Sequence, residues 1–191
     1  MPELRGRFVP AQPGDSAESL ARRENAALED VVELNDVADP RAPLAPGTRL
    51  FVPETSTSAP APAGRRFAWP LAVGVGVISS GFGVREGRPH EGVDIAAPRG
   101  TPIHAAAEGE VVYAGNGIRG YGNVVIVRHD DGFLTVYAHN LQNRVQKGEK
   151  VVRGQVVGLV GQTGHATAPH LHFEVRFRDA PRNPMTYLEK P

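Results

Sequence analysis

The chain has 191 residues, 40% hydrophobic and 22% charged, with 21 basic against 21 acidic side chains and no cysteine. That length holds one medium domain, or a small one beside a medium one. Disulfide staples, thiolate metal sites and cysteine nucleophiles are excluded, and the balanced charge argues against a broad nucleic-acid or polybasic membrane surface.

The chain opens with Met1-Pro-Glu-Leu-Arg and no apolar run, so no export signal is expected within it. Arg7-Phe8-Val9-Pro10 predicts a short strand. Asp15 and Glu18 fit the N-cap and N3 positions of a capping box that opens a helix over 16–23. A second helix is predicted over 25–35, where Leu28, Val31, Val32 and Leu34 recur at helical spacing. Pro46-Gly-Thr-Arg-Leu-Phe-Val-Pro53 then gives a turn and a second strand.

Gly14-Asp15 before the first helix, Leu34-Asn35 closing the second, and Leu44-x-x-Gly47-x-x-Leu50-x-x-Pro53 resemble a LysM module. The resemblance implies a small βααβ domain over 1–54 that binds N-acetylglucosamine-containing glycans such as peptidoglycan. Ser16 and Ala17 stand where that family usually has Thr and Leu. The plainer alternative is a helical cap that only packs on the remainder. Residues 55–66, rich in Pro, Ala and Ser, read as an extended linker.

Residues 67–191 form the second expected domain. Its first apolar stretch, 69–78, is interrupted by Pro70, Gly74 and Gly76 and is far shorter than the ~20 residues that span a bilayer. The runs 111–113, 123–129 and 133–139 are β-branched or aromatic, with the turn signal Asp130-Asp131-Gly132 between the last two. Helical stripes are lacking after residue 66. The fold class that follows is mainly β, an antiparallel sheet with many tight turns.

All seven histidines fall in this second domain. His170 and His172 lie in Pro169-His-Leu-His-Phe-Glu-Val-Arg-Phe177, a strand by composition. Residues two apart on a strand share a face, so the imidazoles are neighbours while Leu171, Phe173 and Val175 point to the core. His90-Glu-Gly-Val-Asp94 supplies a second imidazole and a carboxylate. Pro89 and Gly92 disfavour a helix there, so Glu91 takes no general-base role. His90, Asp94 and His172 make up a three-ligand set suited to catalytic zinc. His139 continues the alternation Phe133, Thr135, Tyr137 and so ends one face of its strand. Glu174 shares the face of His170 and His172; it is expected to be an ordinary solvated strand residue, the alternative being that it orients one of the two imidazoles. His104 is expected to face solvent, His129 to end a strand, and His165 to sit in a loop near the cleft.

Ser80-Gly-Phe-Gly83, His90-x-Gly-Val-Asp94, Tyr121-Gly-Asn123, Val136-Tyr-Ala-His139, Gly158-x-x-Gly161-x-Thr-Gly164 and Pro169-His-Leu-His-Phe-Glu174 together resemble the lysostaphin-like (LytM-type) zinc peptidoglycan endopeptidases. The resemblance implies a lysostaphin-like fold with His90, Asp94 and His172 as zinc ligands. It implies His139 and His170 as the catalytic pair, their two roles unordered. It further implies cleavage of cross-link or stem peptides in peptidoglycan, a periplasmic or extracellular location, and a monomer. Ala168 replaces the glycine usual in the entry loop. The alternative is a cell-wall-binding activator of amidases, since some relatives of this layout have that role and typically lack zinc ligands. A biotinyl or lipoyl carrier, suggested by Gly148-x-x-Val151-x-x-Gly154-Gln155, fails for want of a lysine at the hairpin tip.

Overall fold

The computed structural model describes residues 4–54, 65–85 and 87–189. Most of the expected linker, 55–64, lies outside the described residues. The first elements in chain order are β1 (Gly6–Pro10), α1 (Ala17–Arg23), α2 (Leu28–Asn35) and β2 (Arg49–Pro53). Next come β3 (Val77–Ser80), β4 (Gly83–Arg85), β5 (Arg88–His90), β6 (Val93–Ala96), β7 (Pro102–His104), β8 (Gly109–Gly115) and β9 (Asn123–Arg128). The chain then runs through β10 (Phe133–Asn143), β11 (Lys150–Val151), β12 (Val156–Val160), β13 (His170–Phe177), β14 (Ala180–Arg182) and the single turn α3 (Pro184–Tyr187). Two compact units divide these elements: 4–54 with the β4–β5 hairpin, and 65–81 with 92–189. No helix among the described residues is long and apolar enough to cross a membrane.

In the first unit β1 and β2 pair antiparallel, from Gly6 opposite Pro53 to Pro10 opposite Arg49. The predicted helices are present with altered ends. Ser16, not Asp15, is the N-cap of α1: its Oγ accepts from Ser19 N at 3.2 Å while Ser19 Oγ accepts from Ser16 N at 3.0 Å. A serine at N3 closes the box as a glutamate would, and Asp15 accepts from the same Ser19 hydroxyl. α2 starts three residues late because Asn25 takes a left-handed conformation (φ 54°) behind α1. Val9, Leu20, Val31, Leu50 and Val52 form the core. Asn35 ties helix to strand, donating to Val31 O and Phe51 O and accepting from Phe51 N.

The second unit is built on one antiparallel sheet in the order β11-β8-β9-β10-β13-β6-β3, with β12 joined to β10 and β7, and β14 to β13. The mainly antiparallel expectation holds. The turn between β9 and β10 needs left-handed backbone at Asp131 (φ 61°) and Gly132 (φ 83°), which Asp and Gly tolerate best. β13 is central, and every residue from Leu171 to Phe177 is buried. On one face its Phe173 and Phe177 pack with Tyr137, Phe133 and Phe67. Burial of each such ring contributes on the order of 2 kcal/mol. Val124, Ile126, Val136 and Ala138 form a cluster on the other face, with Ile118 and Tyr121 of the β8–β9 loop packed against it.

Candidate metal centre

The ligand cluster starts from strand register. β13 and β6 pair antiparallel with His172 opposite Asp94 and His170 opposite Ala96, and directly opposed residues point to one face. His172 Nδ1 lies 2.8 Å from Asp94 Oδ1, and His170 Nε2 lies 3.6 Å from the same oxygen. His90 ends β5 just before β6 begins. Ligand atoms of His90, Asp94 and His172 all lie within 4.8 Å of one another. Two imidazole nitrogens and a carboxylate oxygen are a zinc-type donor set, for which bond lengths near 2.1 Å put ligand atoms ~3.3 Å apart.

Glu174 departs from the sequence expectation of a solvated residue. It is fully buried, because both faces of β13 are covered. Its Oε1 is 3.0 Å from His172 Nε2 and accepts from the Tyr121 hydroxyl at 2.6 Å, while its Oε2 accepts from Arg176 Nε at 2.6 Å. Burial opposes ionisation of Glu174, yet the Arg176 charge and the bonds from His172 and Tyr121 hold its pKa down at about 2. Burial likewise opposes charging His172. The hydrogen bonds to Asp94 and Glu174 outweigh that and push its pKa up to about 9.

His139 reaches the cluster by breaking the predicted alternation. Phe133, Thr135 and Tyr137 face the aromatic core, whereas His172 lies on the opposite face, opposite Ala138. Strict alternation would send His139 away from His172. Instead the β10–β9 register slips between Tyr137 and Asn140, and His139 takes φ 61°. Such a bulge re-aims a side chain. The His139 ring lies 4.7 Å from that of His170 and 5.7 Å from that of His172, centroid to centroid. Burial, and then the charge of His172, press the His139 pKa down to about 4. Its Nδ1 lies 2.8 Å from Thr163 O, and His170 Nδ1 lies 2.8 Å from Ala168 O. A carbonyl only accepts, so each Nδ1 carries hydrogen and each Nε2 keeps the lone pair when neutral.

The other histidines stay outside the cluster. His104 is half-buried in β7 rather than facing solvent, and His165 is exposed in its loop. His129 is buried, with Nδ1 2.7 Å from Glu108 O and Nε2 2.8 Å from Thr135 Oγ1. Sequence reasoning missed Arg176, and it took Tyr121 only as part of a motif. The available signal was three polar residues at alternate positions, 172, 174 and 176, on a strand whose polar face turns out to be covered.

Residues 88–184 match the family described as Peptidase family M23. The "Murein hydrolase activator NlpD" of Salmonella dublin is 42% identical over 147 residues, 77% of this chain. The chain spans only 37% of the length of that curated relative. The catalytic domain of the antimicrobial peptidase lysostaphin from Staphylococcus simulans is similar at TM-score 0.51 and 34% identity, covering 58% of this chain and 87% of that one. A zinc containing peptidase from Vibrio cholerae is similar at TM-score 0.60 and 27% identity, covering 96% of this chain and 71% of that one.

Proposed function

The chain belongs to peptidase family M23, and from that membership we propose that it is a zinc-dependent endopeptidase cutting peptide bonds of peptidoglycan. The observation that carries the reading is the convergence of His90, Asp94 and His172, with His139 and His170 beside them. Bound zinc would lower the pKa of a water towards about 7 and polarise the scissile carbonyl. The chain's own residues do the rest. His90, Asp94 and His172 hold the metal. His139, kept neutral by burial, offers Nε2 as a proton acceptor. His170, whose Nε2 lies 3.6 Å from Asp94 Oδ1, stabilises the developing oxyanion through Nε2–H when it is protonated, and His139 hands the proton it took from water to the departing amine. The Nδ1–H bonds to Thr163 O and Ala168 O fix both rings with Nε2 turned to the reaction.

The β-α-α-β order of the first unit and its Gly14 to Pro53 motif support a LysM-type glycan-binding role. That role would concentrate the enzyme on its polymer and fits a periplasmic or cell-surface location. The second reading is a murein hydrolase activator, favoured by the 42% identity to a protein of that name. One experiment separates the two. Purified protein is assayed for zinc content and for release of soluble peptides from peptidoglycan, beside His139→Ala. The enzyme reading expects about one zinc per chain in both proteins, and hydrolysis by the wild type alone. Zinc-loaded wild type that releases nothing, yet stimulates a separate murein amidase, would replace it with the activator reading.

A further inference from the structure

Resting on the zinc-peptidase reading, we propose that Glu174, Arg176 and Tyr121 form a buried positioning relay that presents Nδ1 of His172 to the metal. Residues 172, 174 and 176 share one face of β13, opposite Ala138, Val136 and Leu134 of β10. Those three neighbours are apolar and offer no side-chain partner. The polar trio on β13 bonds along its own face, joined by Tyr121 in the β8–β9 loop.

The chain of bonds has a direction. Arg176, fully buried, is charged in any protein environment. Its Nη1 donates to Asp179 O at 2.8 Å and its Nε to Glu174 Oε2 at 2.6 Å. The left-handed turn at Arg178 and Asp179 (φ 47° and 69°) brings that carbonyl back to the guanidinium. A carboxylate paired with a buried guanidinium is ionised and only accepts. Its Oε1 takes the Tyr121 hydroxyl at 2.6 Å and faces His172 Nε2 at 3.0 Å. His172 Nε2 must then carry hydrogen, which leaves Nδ1 as the ligand atom. Nδ1 is also the nitrogen that lies 2.8 Å from Asp94 Oδ1. The ring has little freedom to turn otherwise. A Cβ at Gly92 would stand 3.0 Å from His172 Cε1 and 2.9 Å from Glu174 Cγ, so the backbone itself closes over the pair.

Strand stability alone does not call for this arrangement. A buried ion pair is commonly matched or exceeded in stability by apolar residues of similar volume. Fixing the tautomer and orientation of a metal-ligating histidine does call for it.

The test uses the full chain and four readouts: zinc affinity by chelator competition, the visible spectrum of the cobalt(II) form, thermal unfolding of metal-free protein, and the ring N–H signals of His172 by NMR. Glu174→Gln is expected to bind zinc about 10–100-fold more weakly and to change the cobalt spectrum. Tyr121→Phe, which buries no new charge, is expected to weaken zinc less and in the same direction. The double variant E174L/R176M is expected to unfold at or above the temperature of Glu174→Gln while binding zinc no better. Stability returning without metal affinity separates positioning from structural support. Wild-type affinity and an unchanged cobalt spectrum in both Glu174→Gln and Tyr121→Phe would overturn the relay, as would zinc affinity recovered in the double variant. Should wild-type protein bind no zinc, the peptidase reading fails. The relay is then decided in metal-free protein, by a protected His172 Nε2–H present in wild type and lost in E174L/R176M; its absence in wild type overturns the relay.

Discussion

Lowering the pH should weaken zinc binding by a predictable amount, because His172 must lose a proton before Nδ1 can ligate. Hydrogen bonds to Asp94 and Glu174 push its pKa up to about 9 in the metal-free protein, against the desolvation that opposes charge. At pH 7, about two units lower, only a small fraction of metal-free molecules, on the order of one in a hundred, carries the neutral ring, and displacing the proton costs about 3 kcal/mol. Apparent zinc affinity is expected to rise about tenfold per pH unit from 7 to 8.5 and to level off near 9. Competition against a chromophoric chelator at fixed ionic strength measures the slope. Calorimetry in two buffers of different ionisation enthalpy should count about one proton released per zinc at pH 7. Affinity that stays flat between pH 7 and 8.5, with no proton release, would refute the argument. The same raised pKa stabilises the metal-free fold. That stabilisation is fully present below the unfolded value of about 6.5 and is lost as pH rises through about 9.

Three positions, two beside the centre and one in the first unit, probe the packing and strain of the backbone. Gly92→Ala places a Cβ 2.4 Å from Phe173 O, a backbone atom that cannot yield without parting β6 from β13. A loss of about 2–3 kcal/mol and weaker zinc binding are expected by thermal unfolding and chelator competition, and wild-type behaviour would show that the strands adjust freely. At His139, with φ 61°, His139→Gly should be about 1 kcal/mol more stable than His139→Ala, because only glycine is unstrained there; equal melting temperatures would remove the strain. Asn35→Ala strips Phe51 of partners for both its N–H and its C=O. It should destabilise the first unit by about 1–3 kcal/mol, read by hydrogen exchange at Val31 and Phe51.

The sequence by itself determined the local geometry of the second unit. Alternation in 170–177, β-branched runs in 123–139 and the Asp-Asp-Gly turn specify strands and a hairpin through steric preferences of a few neighbouring residues. Two histidines two apart on a strand must share a face, so their adjacency was legible as well. The helices of the first unit were also readable. Their exact caps were less so, since Ser16 and Asp15 compete for one position and only the packed backbone chooses.

Tertiary structure decided what no short window contains. Register between β6 and β13, set by residues nearly eighty positions apart, puts Asp94 rather than Ala96 opposite His172. The slip in β10 turns His139 across the sheet, at the expense of a left-handed backbone that only the surrounding pairing can hold. Burial decided the role of Glu174. A strand reading His-Leu-His-Phe-Glu-Val-Arg-Phe looks half-exposed, because alternation records polarity and not what lies above each face. Once the β8–β9 loop covers the polar side, Glu174 and Arg176 must find partners inside the protein. Among the partners they find are each other, Tyr121, His172 and the carbonyl of Asp179.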